Sequence, residues 1–282
     1  SINLRPMEKK LSIRKIIREI ILSENAEFRP SSTGDLLSNY AIVDTVGLND
    51  ETGDIEWDIV LIDLSLAKQT FDEEIDGLDP EESEYPGRHQ VGEALEQSLV
   101  SAIRCRKLPK SYGTCYRAWE IIRIGSLQRG FGWPLKNMVM GNPLGTIPDR
   151  DSLSQGAVDQ YTRLNSRGGF ELLPLDDVNN PQTKTSHDDC KVWPSPPESS
   201  SSKLNNVYKF PEDPNFETLK RNIYKLYDYI MDHNRIPEFE YWVEDDEFTS
   251  TIGSQTTIRD LVGVVFESVY DPTSNKQVIY KN

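Results

Sequence analysis

Asp54, Glu56, Asp58 and Asp63 stand within ten positions of one another, with Lys68 close behind. Carboxylates at this density can ligate a divalent cation, and a nearby lysine makes a metal-dependent nuclease or hydrolase a reading to weigh. Strand periodicity limits the set. Glu56 and Asp58 fall on one face of an extended chain, whereas Asp63, an odd number of residues beyond Asp58, falls on the other unless a bulge intervenes. The acidic-x-lysine pair of a common nuclease core is also missing, since Lys68 follows Asp63 by five positions. The carboxylates are expected as edge-strand charges, with the hydrolase kept as a second alternative function.

Other chemistries have weaker support. His187 and Cys190, with Asp188 and Asp189 between them, have the spacing of half a zinc site, but His233 and Cys105 do not supply the other half at a matching spacing. Cysteine catalysis needs a base near Cys105 or Cys115, and the nearest histidine, His89, is expected in the first turn of a helix. Gly125-Ser126-Leu127-Gln128-Arg129-Gly130 has phosphate-loop glycine spacing, yet Phe131-Gly132 stands where Lys-Ser/Thr should follow. Neither GxSxG nor HExxH occurs. No catalytic residue, metal or cofactor is assigned.

The stronger signal is charge. The 282-residue chain carries a formal net charge of −15, yet residues 104–136 hold eight basic residues and one acidic one. Aromatic residues are interleaved. Arg104, Arg106, Lys107, Lys110, Arg117, Trp119, Arg123, Arg129 and Trp133 form the candidate binding surface, because arginine beside exposed aromatics grips phosphates, bases or a protein partner. Alternatively, the same cations balance the protein's own acidic segments, above all residues 72–84 with eight acidic and no basic residue.

The elements that would position these residues follow from periodicity. Met7, Leu11, Ile13, Ile16, Ile17, Ile20 and Ile21 make a helical stripe beside Lys9, Lys10, Arg14, Lys15 and Arg18, a helix suited to docking on a partner. Residues 40–48 and 54–67 read as a β-hairpin, its second strand apolar on both faces from Ile59 onward and so covered on both sides. Residues 72–84 read as an exposed loop, and 91–103 have helical spacing. Residues 112–124 have strand content, and 125–169 are punctuated by Gly and Pro into structured loops. Residues 174–214 have linker composition. Beyond them come a helix from Pro214 to about Asn234, a strand at 239–243, a helix from Ile258 to Val269 and a closing strand at 277–280.

The expected fold is α+β, with a mixed or antiparallel sheet, packed helices and long structured loops. Residues 1–173 form an N-terminal domain, 174–214 a linker and 215–282 a small C-terminal part packed on the first. No apolar run approaches the roughly 20 residues that cross a bilayer. The N-terminus has no leader pattern, and three cysteines without a CxxC pair read as free thiols. An intracellular location, cytoplasmic or nuclear, is expected. The function expected is that of a non-enzymatic structural or adaptor protein, joining protein partners or its own copies through complementary acidic and basic surfaces. Nucleic acid bound by the 104–136 region is the alternative.

Overall fold

Asn49 and Gly53 close the first hairpin. The computed structural model describes residues 38–49, 52–76, 88–127, 131–167, 169–194, 201–211, 214–232, 251–252, 256–269 and 277–278. At the hairpin turn the Gly53 amide donates to the Asn49 carbonyl at 2.7 Å, and Gly53 takes a φ of 73°, which a residue without Cβ adopts freely. The turn joins β1 (Tyr40–Leu48) to β2 (Ile55–Asp63) in the register Tyr40↔Asp63 to Leu48↔Ile55.

The chain continues through α1 (Leu64–Asp76), α2 (Arg88–Gln97), β3 (Leu99–Lys107), short 3-10 turns at Lys110–Tyr112 and Cys115–Arg117, and β4 (Trp119–Ser126). Next come α3 (Gly132–Met140), β5 (Thr146–Pro148), β6 (Leu153–Ser154), α4 (Gln155–Arg167), β7 (Glu171–Pro174), β8 (Asp176–Asp177) and β9 (Asp189–Cys190). The last are α5 (Ser201–Leu204), β10 (Asn206–Lys209), α6 (Pro214–Arg221), α7 (Ile223–Asp232), β11 (Thr251–Ile252), β12 (Thr256–Thr257), α8 (Ile258–Val269) and β13 (Gln277–Val278). Seven strands join in the order β1-β2-β3-β4-β5-β10-β7. Among the described strands of this sheet only the β4–β5 pair is parallel, so the sheet is mixed and the fold is α+β, as expected.

Alternation along the strands sorts the apolar residues into two layers. Ile42, Trp57, Ile59 and Ile103 pack with Leu135 and Val139 of α3 and Tyr161 of α4. Val43, Val60, Ile62 and Ala102 pack under α1, α2, α7 and α8, through Phe71, Leu95, Leu226 and Val262. Helices on both faces explain why Ile59, Val60, Leu61 and Ile62 are all apolar, since each full burial of an aliphatic side chain stabilises by roughly 1.5–3 kcal/mol.

Several elements depart from the sequence reading. The helical spacing of 91–103 spans a helix and a strand, because α2 ends at Gln97 and Ser98 donates its amide back to the Ala94 and Leu95 carbonyls at 3.1 and 3.2 Å. Two helices occupy 125–169, where the glycines mark helix ends. Gly141 closes α3, and the Ser154 hydroxyl accepts from the Ala157 amide at 3.2 Å to cap α4. Helix α1 runs through Asp72 to Asp76, and Asp72 accepts a 2.6 Å hydrogen bond from the Tyr229 hydroxyl. The helix expected from Pro214 breaks at Asn222, whose buried side-chain amide donates to the Tyr40 carbonyl at 2.7 Å.

The described parts of 174–214, a segment expected as a linker, contribute to the core. Strand β10 lies between β5 and β7, and Trp193 is buried, its indole N–H donating to the Asp149 carbonyl at 2.9 Å. Nor are all three cysteines free thiols. Cys115 and Cys190, 75 positions apart, form a disulfide with Cα atoms 4.8 Å apart, while Cys105 is free and buried. Among the described residues no helix is long and apolar enough to cross a membrane. The N-terminal helix with Lys9, Lys10, Arg14, Lys15 and Arg18, the strand at 239–243 and most of the acidic segment 72–84 lie outside the described residues.

Candidate functional site

Strand register brings acids and bases together on the α8 side of the sheet. Glu56 and Asp58 share a face of β2, and on β3 they stand opposite Arg106 and Arg104. The Arg104 guanidinium grips Asp58 with Nε–Oδ1 at 2.7 Å and Nη2–Oδ2 at 3.0 Å, and reaches Glu56 at 3.6 Å. From α8, Arg259 approaches Glu56 at 3.2 Å and Asp58 at 3.6 Å. Arg106 donates through Nε to Glu120 at 2.5 Å and through Nη2 to Asp151 at 2.6 Å. The other Glu120 oxygen accepts the Arg150 amide.

These carboxylates are therefore held by guanidinium groups. Their strand is interior and buried, a correction to the edge-strand expectation: β2 lies between β1 and β3, and Asp58 is 1% exposed. Among the described residues no three His, Cys, Asp or Glu side chains converge to hold a metal ion. Asp63 points elsewhere and caps α1, accepting the Ser65 and Leu66 amides at 2.9 and 3.1 Å. Burial raises the Glu120 and Asp149 carboxyls above the ordinary range, against the pull of Arg106. Asp151 goes the other way. Partial burial would raise its carboxyl, but donors from Tyr112, Lys191 and Arg106 hold it at about 2.

The cysteine candidates are likewise unavailable. Cys190 is in the disulfide, and Asp188 accepts from the Thr183 and Thr185 hydroxyls at 3.0 and 2.8 Å. Burial, with the charges of Asp58 and Glu120, pushes the Cys105 thiol well up, so it carries no reactive thiolate.

The basic segment splits. Arg104 and Arg106 turn inward to Asp58, Glu56, Glu120 and Asp151. Lys107 lies over the Trp119 ring at 3.9 Å and donates to the Arg117 carbonyl at 2.9 Å, and Trp119 is buried against Trp57 with ring centroids 5.4 Å apart. Lys110, Arg117 and Arg123 are exposed, Arg123 lying 5.2 Å from the centre of the Phe266 ring. Arg129 and the side chain of Trp133 are outside the described residues.

Lys110 and Arg117 flank an unusual turn. Cys115, Tyr116 and Arg117 have φ values of 44°, 53° and 59°, a left-handed run that costs non-glycine residues about 1–2 kcal/mol each. Its supports are dense. The Cys115–Cys190 bridge, a 2.7 Å bond from the Tyr116 amide to the His187 carbonyl and a β-bridge from Gly113 to Cys190 hold it. Gly113 must stay glycine, because its φ is 93° and a Cβ there would lie 2.3 Å from the Asp189 carbonyl oxygen.

One group escaped the sequence reading. Lys136 on α3 is 2% exposed and lines a cavity of about 300 Å³ with Ile121, Ile124, Gln160, Tyr161 and Phe266. Its ammonium donates to Gln160 Oε1 at 3.2 Å and sits 4.0 Å from the centre of the Tyr161 ring. Burial lowers its pKa to about 7. The available signal was its place among Leu135, Met138 and Val139, which are buried on the same helix.

In comparison with known proteins, no family model, no curated protein and no solved structure matches the chain.

Proposed function

We propose that the chain is a non-enzymatic protein that works through contacts with protein partners, further copies of itself included, and that its docking surface centres on the turn bearing Lys110, Tyr116 and Arg117. The observation that carries this reading is the left-handed run at Cys115–Arg117. Strain of this kind persists only where the surroundings over-determine it, and it gathers at sites that bind or react. Here it sets out a half-buried tyrosine and an exposed arginine, residue types that concentrate binding energy at protein interfaces.

The ion pairs weigh against a reaction. Both carboxylates that a metal-dependent hydrolase would take from β2 are engaged by Arg104 and Arg259. Two cations that nucleic acid would need, Arg104 and Arg106, are spent internally, and a net charge of −15 repels a polyanion. An acidic protein segment fits the exposed cations better, and complementary charge of this sort sets register and encounter rate. The chain's own 72–84 segment has that composition.

The disulfide beneath the surface favours an oxidising setting over the cytoplasm or nucleus expected from sequence. The test is charge reversal at Lys110 and Arg117, read by sedimentation and by capture on an acidic peptide. A mobility shift with nucleic acid that weakens steeply with salt would favour the other partner class.

A further inference from the structure

Strand β5 pairs with β4 only along Trp119–Ile121, and past that point the β4 edge borders the Lys136 cavity, with Ser152, Leu153 and Ser154 on the other side. Among the described residues two cations line it, Lys136 and Arg123, and no Asp or Glu does. That imbalance is notable in a chain of net charge −15.

An ammonium has three donors, and among the described residues Lys136 uses one, to the neutral Gln160 side chain. A cation removed from water needs a counter-charge or must lose its proton. We propose that the cavity binds a small organic monocarboxylate, its carboxylate ion-paired to Lys136 and its apolar body against Ile121, Ile124 and Phe266.

Size and polarity select this class. About 300 Å³ holds roughly ten water-sized groups, enough for a short aliphatic or single-ring acid. One buried cation beside one amide and one phenol ring neutralises a monoanion. A phosphate ester, with three acceptor oxygens and close to two charges, needs a larger set of donors. Arg123 is exposed and stands at the solvent side, where it steers anions inward.

Binding takes up a proton. Burial leaves the Lys136 amine with a pKa of about 7, and a bound carboxylate restores the ammonium form. The titratable and charged groups facing the amine are Arg123 from β4 and Tyr161 from α4, with Cys105, Asp149, Arg150 and Tyr208 behind Tyr161. From α8 the cavity receives Phe266, and from the 152–154 segment no charge. Tyr161 is held well above its ordinary value by burial, so Lys136 is the group that titrates near neutrality.

The experiment is calorimetry on the full chain with benzoate and hexanoate, with benzamide and inorganic phosphate as comparators. Benzoate or hexanoate should bind with proton uptake, seen by changing the buffer's ionisation enthalpy, and the affinity should fall about tenfold per pH unit above 7. Benzamide should not bind, and Lys136→Met should weaken carboxylate binding at least tenfold while folding normally, since methionine fills a similar volume without a buried charge. The proposal is overturned if neither acid binds, if Lys136→Met binds them as wild type does, or if phosphate binds and the carboxylates do not.

Discussion

Arg104 and Asp58, 46 positions apart in sequence, meet across β2 and β3 through paired hydrogen bonds of 2.7 and 3.0 Å. The Asp58 side chain is 1% exposed and that of Arg104 21% exposed, so the carboxylate has little water to fall back on. The pair converts what reads in sequence as part of a cationic surface into an internal tie between strands.

Removing Arg104 leaves Asp58 buried beside Glu56 with Arg259 as the remaining cation. Arg104→Ala should destabilise by about 3–5 kcal/mol in urea unfolding. The double variant Arg104→Met/Asp58→Leu should recover most of that loss, because apolar replacement of both partners removes the stranded charge.

The disulfide predicts a thiol count. Alkylation of the chain unfolded without reductant should label Cys105 alone, and reductant should release the other two. Cys190→Ser should lower stability by about 2–4 kcal/mol, as expected for a bridge closing a long loop, and should release the left-handed turn. A protein with three labelled thiols before reduction contradicts the bridge.

Asp151 sets an acid-side dependence. Its folded-state pKa of about 2 lies below the ordinary 3.8, so its contribution is present above pH 4 and is lost as pH falls toward 2. Asp151→Asn should therefore melt below wild type at pH 5–7, with the gap closing between pH 4 and 2. Exposure of the group keeps the effect small. Glu120 and Asp149, both raised by burial, act oppositely, since their protonation relieves the burial cost, and loss of the Asp151 charge removes one of the groups that raise Asp149.

Lys136 sets a dependence of the opposite kind. With a folded pKa of about 7 against an ordinary 10.5, the unfolded chain binds the extra proton between those values, so stability rises with pH across that window. Lys136→Met should raise the melting temperature most at pH 6, and the gain should disappear as pH nears 10.

The sequence carried the hairpin, the doubly covered β2 and the α8 stripe, because each rests on local periodicity with one period fitting. It was ambiguous where two periods fit the same residues. Leu95, Leu99, Ala102 and Ile103 suit a helix, but Leu99 opens a strand once Ser98 ends α2. Gly132 and Gly141 read as loop punctuation although they bound a helix whose apolar residues face the core. The fate of the cations depended on long-range register. Nothing local distinguishes Arg104, bound to Asp58, from exposed Arg117, or marks Cys115 and Cys190 as partners across 75 positions. Lys136 enters the sequence reading only through the charge of residues 104–136, because its burial follows from α4, an element hidden behind glycines.

The docking surface is tested most directly by sedimentation velocity at low salt together with capture on an immobilised peptide of residues 72–84, comparing wild type with Lys110→Glu/Arg117→Glu. Both side chains are exposed, so the double variant should keep its melting temperature. Wild type should self-associate or retain the peptide, and the double variant should do so at least about tenfold more weakly, as for loss of an interface anchor. A wild type that does neither, or a double variant indistinguishable from it, contradicts the proposed surface.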